Sequence, residues 1–453
     1  MKTIKDAFKH VTGLLGEQDI SIGSEYRPIS FCALVSGDGY RAAYNSLTGV
    51  LLLLDEAEFT ILNSEKVVAD DSTDWFIKNW FLVPVAHDDM QLRNEIVDFI
   101  RTINVSDGKL RTYTIFTTTD CNARCFYCFE KGRKYLHMSD EIAEDAAVYI
   151  LRTCMDKINL SWFGGEPLYN DSAIDIITDR VRAAGIEFNS TMVSNAYLFD
   201  DEIVKRAVEK WNLKRVQVTL DGTEEVYNKV KAYIYNDGRS PYKVVLDNID
   251  RLLDAGISVN VRLNMDNYNY ENLKLLIDEL YNRFGSEKKF AIYSNMLFEI
   301  SSQPGSCRSE IERKELEQKW MDLEERIFKL GKRHIKALPS SISLNQCMAD
   351  SENAVTILPD GHLGKCEHHT EDRFIGDIYS GITNTNEVEL FKVRVDSAPI
   401  CKGCKIYPSC VRIKECTTLK ISGMCDESTR YHREKMLYQS IAKYVEDYIS
   451  KSE

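Results

Sequence analysis

The 453-residue sequence has no long hydrophobic run. A membrane-spanning helix needs about 20 consecutive apolar residues. The best candidate, LTGVLLLL from Leu47 to Leu54, is far too short, so no membrane partner is expected. The first residues lack a charged start followed by an apolar stretch and a small-residue cleavage site, and a cytoplasmic protein is expected. Proline is scarce, nine in all, and there is no internal repeat or low-complexity tract. A disordered or collagen-like chain is thereby excluded. Positive charge is also short. Lys and Arg number 57 against 70 Asp and Glu, a net charge of −13. Duplex nucleic acid and anionic membranes call for basic surfaces, so no nucleic-acid partner is expected. Residues 1–100 carry −8 of that charge, with 8 Lys/Arg and 16 Asp/Glu. Such a region repels nucleic acid and suits a basic peptide. What is plentiful is cysteine, thirteen in all. In a reducing compartment that points to metal ligands or redox chemistry, not to a disulfide framework.

Three regions separate by pattern. In residues 1–105, Gly-Asp-Gly at 37–39 and Gly49 break short alternating runs, which is a hairpin signal. Helices are predicted over 55–65 and 71–82. Trp75, Trp80 and Phe81 read as its core. Strands followed by short helices fit a winged-helix-like module. Residues 106–335 alternate strand and helix, with strands predicted at 112–118, 158–163, 189–194, 214–220, 257–264 and 289–297. Ser139-Asp140-Glu141 suits the start of the first helix. EIVKRAVEKW, VVLDNIDRLLDAG and ENLKLLIDELYNRFG place apolar residues at helical spacing. The fold class is α/β, and six such units predict a parallel sheet curling into a partial (β/α)6 barrel. Its ligand site would lie at the C-terminal strand ends. Residues 336–453 hold seven cysteines. They read as a loop-rich, cysteine-rich region, closed by a helix from Thr429 to Ser450, in which bound metal supplies what a core cannot.

Cys121, Cys125 and Cys128 lie just past the first barrel strand. Three thiolates within eight loop residues can bind three corners of a [4Fe–4S] cubane and leave one iron open. The spacing matches neither the zinc pairs nor the ferredoxin runs. A C-x3-C-x2-C loop after the first strand of such a barrel, with an aromatic (Tyr127) before its last cysteine, resembles the radical S-adenosylmethionine (SAM) enzymes. Further pieces follow in that family's order. Gly164-Gly165-Glu166-Pro167 resembles the motif whose backbone and glutamate hold the SAM amino group. Ser194-Asn195 ends the third strand, with Ala196 where the family has glycine. Asp221 and Gly222 end the fourth. Lys231 stands where relatives often carry an arginine for the SAM carboxylate. Arg262 and Leu263 lie where relatives contact the SAM carboxylate or adenine. The resemblance implies that the bound cluster reduces SAM to a 5′-deoxyadenosyl radical, which takes hydrogen from a substrate.

The C-terminal cysteines are similar to a SPASM extension, which binds two auxiliary [4Fe–4S] clusters. Cys410 and Cys416 are separated by five residues where that family has three. The resemblance assigns Cys347, Cys366 and Cys416 to the first auxiliary cluster and Cys401, Cys404, Cys410 and Cys425 to the second. Cys307 is a candidate fourth ligand of the first. His368 and His369 follow Cys366 and are candidates to reach its cluster or to act in proton transfer. Cys32 and Cys154 read as small core residues.

SPASM-bearing relatives mostly modify peptides, and the long N-terminal module resembles the PqqD-like elements that bind a leader peptide as an added strand. The expectation is a ribosomal-peptide maturase forming a Cys thioether crosslink, with a leader-bearing precursor peptide and an external electron donor such as ferredoxin or flavodoxin as partners. Alternatives are a sulfatase-maturing enzyme, a carbon–carbon crosslinking maturase and, outside catalysis, an iron–sulfur electron-transfer protein. Removing residues 1–100 is expected to abolish peptide processing and spare slow SAM cleavage.

Overall fold

A computed structural model describes residues 1–6, 15–103, 108–235, 238–297, 310–333, 338, 347–369, 371–393, 398–410, 413–416 and 425–452. Cys307 lies outside them.

The first hundred residues contribute seven strands: β1 (Lys2–Asp6), β2 (Glu25–Pro28), β3 (Cys32–Gly37), β4 (Tyr40–Asn45), β5 (Val50–Leu53), β6 (Val67–Val68) and β7 (Leu82–Pro84). They form two small antiparallel sheets, ordered β1-β5-β4-β3 and β6-β2-β7. The predicted hairpin joins β3 to β4, with Gly39 in the left-handed conformation at φ 78°. Helix α1 (Glu56–Asn63) begins with a capping box in which Asp55 and Glu58 each accept the other's backbone N–H at 2.9 Å. Helix α2 (Asp74–Lys78) is much shorter than the predicted 71–82. At its start, Asp70 and Thr73 spend their side chains on local turn bonds that compete with helix. At its end, Trp80 takes φ 62° and the chain swings into β7.

Helix α3 (Asp89–Ile103) is pinned at its first residue. Asp89 is 3% exposed and accepts both Arg27 guanidinium nitrogens at 2.9 and 3.1 Å, the Ser30 N–H at 2.7 Å, the Ser30 hydroxyl and His87 Nδ1. Burial alone would raise its pKa, but the hydrogen bonds from His87, Arg27 and Ser30 outweigh burial and hold it well below the usual carboxylate range. Asp89→Asn should therefore cost about 3 kcal/mol locally by stranding Arg27. Hydrogen exchange around β2, β7 and the start of α3 should accelerate by roughly a hundredfold at neutral pH. A depressed carboxylate stabilises above its unfolded pKa and loses that contribution as pH falls through the folded value. The wild-type segment should then open only in strongly acid solution, whereas the variant should show no such acid step.

The spine of the chain is six parallel strands, β8 (Leu110–Thr118), β9 (Cys154–Gly164), β10 (Glu187–Ser194), β11 (Leu213–Leu220), β12 (Ser258–Met265) and β13 (Phe290–Met296), adjacent in sequence order. All six lie where predicted. Between them run α4 (Asp140–Thr153), α5 (Asp171–Ala183), α6 (Asp201–Glu209), α7 (Glu224–Lys231), α8 (Pro241–Asp254) and α9 (Tyr270–Phe284), and α10 (Glu310–Lys329) follows β13. Ser139 caps α4 by accepting the Ile142 N–H, as its sequence suggests. Between strands and helices sits the main core, with Trp162 and Trp211 wholly buried. Cys32 and Cys154 are buried, as read.

The region after residue 336 is richer in structure than its sequence implies. Strand β14 (Ala354–Ile357) adds to the free edge of β8 in parallel, pairing Ala354 with Thr112 and Ile357 with Ile115. Strands β15 (His362–Gly364), β16 (Gly376–Asp377) and β17 (Gly381–Ile382) continue the sheet antiparallel. A four-residue strand whose partner lies more than 200 positions away leaves little periodicity to read. Helix α11 (Thr385–Leu390) follows, and α12 (Glu427–Ser450) starts two residues before the predicted Thr429, capped by Asp426.

Helix α12 lays Leu437, Ile441 and Val445 against Ala33, Tyr40, Ala42, Tyr44 and Leu51 of the N-terminal sheet. Tyr407 stacks on Phe31 at 6.3 Å beneath the Arg93 guanidinium at 4.8 Å. Arg93 also donates to the Cys410 carbonyl at 3.2 Å and Lys405 to the Ser30 carbonyl at 2.6 Å. The two ends of the chain therefore share a core, and removing residues 1–100 would strip α12 of its cover instead of simply deleting a recognition module.

Candidate active site

The cysteine loop leaves β8 at its C-terminal end and is tied down on both sides. Asp120 caps the Cys121 N–H at 2.7 Å. Two backbone bonds join the loop to the end of α7 and the residues after it, Arg124 N–H to Lys231 O at 2.8 Å and Ile234 N–H to Asn122 O at 2.9 Å. Cys121 Sγ accepts from the Ala123 N–H at 3.4 Å and lies 3.7 Å from Asn195 Nδ2. Burial pushes the Cys121 thiol up to about 12 and raises Cys125 and Cys128 as well. Three half-buried thiols on one short loop, with N–H donors aimed at the first, suit a positively charged inorganic centre that holds them as thiolates.

Beside the loop the backbone comes into close contact at two glycines. A Cβ on Gly164 would stand 2.1 Å from the Thr118 carbonyl oxygen, and one on Gly165 would stand 2.1 Å from that of Asp120. Gly164 also adopts φ 126°, where glycine is favoured. Glu166 follows, fully buried, accepting the Ser194 hydroxyl at 2.9 Å, the Asn195 N–H at 2.8 Å and the Leu168 N–H at 3.2 Å. Burial pushes its carboxyl up to about 7 against these bonds. Asn195 donates to Asn122 at 2.6 Å, which links the third strand to the cysteine loop. Ala196 is left-handed at φ 62°.

Across the loop, Tyr127 OH donates to Asp221 at 2.8 Å and accepts from Lys231 at 3.1 Å and from Asn264 at 2.9 Å. Lys231 Nζ also reaches Thr219 Oγ1 at 2.7 Å and lies 3.1 Å from Asp221 Oδ2. That second Asp221 oxygen has no hydrogen bond, so the contact is ionic only. Burial would lower the Lys231 pKa, but Asp221 and its other neighbours raise it well above the ordinary value and keep it a cation.

Most of the sequence-derived residues thus converge at the C-terminal ends of the strands. Leu263 falls on the opposite face of β12 and joins the main core. Arg262 stands on the same strand face as Asn264, two residues below it, and takes no part in the Tyr127 network. Asn122, Asn264 and Thr219 were missed by the sequence reading. Asn122 and Thr219 stand inside the cysteine loop and the Val218–Gly222 strand end but had no role assigned there, and Asn264 lies just past Leu263, outside any motif. Of the C-terminal cysteines, Cys347, Cys366 and Cys416 pack together around Ala349, Phe391 and Ile413. Glu367 Oε2 is buried there without a hydrogen-bond partner. Cys401 and Cys404 lie on the N-terminal core. Arg430 of α12 donates to the carbonyls of Ile400, Lys402 and Gly403, which ties that turn to the helix start where Cys425 sits. No group of three or more His, Cys, Asp or Glu among the described residues is arranged around a single metal ion. His369 Nδ1 lies 3.0 Å from Asp372, while the His368 ring packs 5.0 Å from that of Phe129.

Residues 115–280 match the radical SAM superfamily. The chain carries a radical SAM domain over these residues. That family implies SAM and one [4Fe–4S] cluster, and the glycine cradle, Glu166 and the three thiols fit them. Among curated proteins, the GTP 3′,8-cyclase of Clostridium perfringens (strain SM101 / Type A) is 24% identical over 314 residues, 64% of this chain and 92% of that one. The GTP 3′,8-cyclase of Rhodopirellula baltica is 30% identical over 156 residues, 33% of this chain and 40% of that one. Among solved structures, native anSMEcpe with bound AdoMet superposes with a TM-score of 0.56 at 15% identity, over 74% of this chain and 98% of that one. The same protein with AdoMet and Cp18Cys peptide gives 0.54 at 15%, over 76% and 100%. At that identity the likeness is one of fold. No helix among the described residues is long and apolar enough to cross a membrane.

Proposed function

We propose that this radical SAM enzyme is a peptide maturase that removes hydrogen from a precursor peptide and joins a cysteine sulfur to carbon as a thioether. The observation that carries the reading is the convergence of Cys347, Cys366 and Cys416 in one small apolar pocket. Three thiols suit an auxiliary [4Fe–4S] cluster with a corner left for a substrate thiolate, and Cys401, Cys404, Cys410 and Cys425 would hold a second. The residues 1–105, read as a winged-helix-like leader-binding module, support a peptide substrate. So does the fold shared with a protein solved with Cp18Cys peptide. An external donor such as ferredoxin or flavodoxin would supply the electron.

When bound, the cluster and SAM supply a carbon-centred radical that abstracts hydrogen. The chain does the rest. Glu166, with Ser194 and Asn195 holding it, presents a carboxylate to the SAM ammonium. Lys231 presents a cation to the SAM carboxylate, braced by Asp221 and Tyr127. The close packing of Gly164 and Gly165 on β8 keeps this frame rigid, which hydrogen transfer between nearly touching carbons requires.

The test is mass spectrometry of a Cys-containing precursor co-expressed with the enzyme. The product should be two hydrogens lighter per crosslink and should resist alkylation at the crosslinked cysteine. A lighter product with alkylatable cysteines would move the reading to a carbon–carbon crosslink. The likeness to GTP 3′,8-cyclases over 314 residues favours a second reading, cyclisation of a nucleotide. Turnover of GTP by the reconstituted enzyme, with peptides untouched, would establish it and overturn the first.

A further inference from the structure

Arg262 lacks the carboxylate partner that several other buried or half-buried cations have. Lys231 faces Asp221, Arg333 faces Glu324, and Arg373 holds both Glu387 and Glu415. Arg262 is half-buried, yet its Nε is sealed from solvent with no hydrogen-bond partner, and among the described residues no carboxylate pairs with it. A buried, unpartnered N–H on a cation is costly, and an anion that met it would remove that cost.

Its surroundings say where that partner would come from. On the sheet it is level with Thr219 of β11 and Tyr293 of β13. Its charge is felt by Tyr293 and by His368. His368 packs on Phe129, the residue after Cys128, and its carbonyl accepts from Arg133 at 2.8 Å. Arg262 therefore lies where strand face, cluster loop and C-terminal extension come together. The SAM-facing groups form a separate network that already has its cation in Lys231.

We propose that Arg262 anchors the substrate by taking one carboxylate, the side chain of an Asp or Glu in the peptide, and so sets which neighbouring residue is offered for hydrogen removal. Arg262 is a single guanidinium with no carboxylate partner among the described residues, and it balances one negative charge. A triphosphate would call for several cations. The planar fork of arginine suits a carboxylate bidentately. This inference rests on the peptide reading above.

The test uses the reconstituted full chain with SAM bound, and two probes, N-acetylglutamate α-amide and N-acetylglutamine α-amide, followed by saturation-transfer NMR at millimolar concentration. The wild type should bind the glutamate probe and not its glutamine counterpart. Arg262→Gln should lose the glutamate signal about tenfold and Arg262→Lys should keep part of it. Calorimetry should give SAM affinities for both variants within about twofold of wild type. Equal signals from the two probes would overturn the proposal, as would a tenfold loss of SAM affinity in Arg262→Gln, which would return Arg262 to the SAM carboxylate. If GTP proves to be the substrate while the glutamate probe still needs Arg262, the peptide reading fails and the anion site stands. If peptides are modified but Arg262→Gln binds the glutamate probe like wild type, the anion site fails and the peptide reading stands.

Discussion

Replacing Cys121, Cys125 and Cys128 together by alanine should remove about four irons per chain, from about twelve to about eight with the two proposed auxiliary clusters, and abolish SAM cleavage completely. The loop should survive the change. Its shape is held by bonds that involve no thiol, from Asp120 to the Cys121 N–H, from Arg124 to Lys231 and from Ile234 to Asn122. The thiols are only partly buried, so little packing is lost. The loss should therefore be chemical, with circular dichroism unchanged. Iron and zinc analysis after anaerobic reconstitution would decide the matter. Zinc bound in place of iron, or residual 5′-deoxyadenosine formation by the triple variant, would sink the assignment.

Gly165→Ala should be nearly as damaging without touching a ligand. The new methyl would sit 2.1 Å from the Asp120 carbonyl oxygen and 2.5 Å from its carbon, both backbone atoms. Neither side can retreat, because Gly165 N–H bonds Thr118 O at 3.0 Å and Glu166 N–H bonds Asp120 O at 2.9 Å. Any shift moves Asp120, which caps Cys121, and Glu166, the proposed partner of the SAM amine. Displacing reacting groups by about 1 Å costs roughly a hundredfold in rate, and kcat/KM for SAM cleavage should fall by at least that. Gly364→Ala is the control, since its methyl would meet nothing closer than 3.8 Å. Equal activity of the two variants would show that the cradle is not a close-contact device.

The parallel sheet was legible because each β/α unit carries its own signal. Val216, Val218 and Leu220 alternate along β11, and Val245, Ile249 and Leu252 return at helical spacing on α8. The motifs at the strand ends could then be placed by counting. What could not be read is what meets across the chain. Leu437, Ile441 and Val445 announce an apolar stripe, but nothing in them names Tyr44 and Leu51 as its partners. Strand β14 is four residues long and finds β8 only in three dimensions. Asn264 was missed because an asparagine inside a strand reads as a break in the pattern. Its role depends on Tyr127, 137 positions earlier. The short helix α2 shows the opposite failure, where local turn bonds at Asp70 and Thr73 overrode a plausible helical run.

The shared core of the two chain ends has a consequence during synthesis. The N-terminal sheet is complete by Leu53, but the side chains that cover one face of it, Leu437 to Val445, emerge almost 400 residues later. At roughly 5–20 residues per second this apolar face waits some tens of seconds on the ribosome before its cover arrives. A sheet made early is thus among the last parts to be finished. The protein's yield in a foreign host should depend on holdase capacity and translation speed more than on the stability of the parallel sheet between.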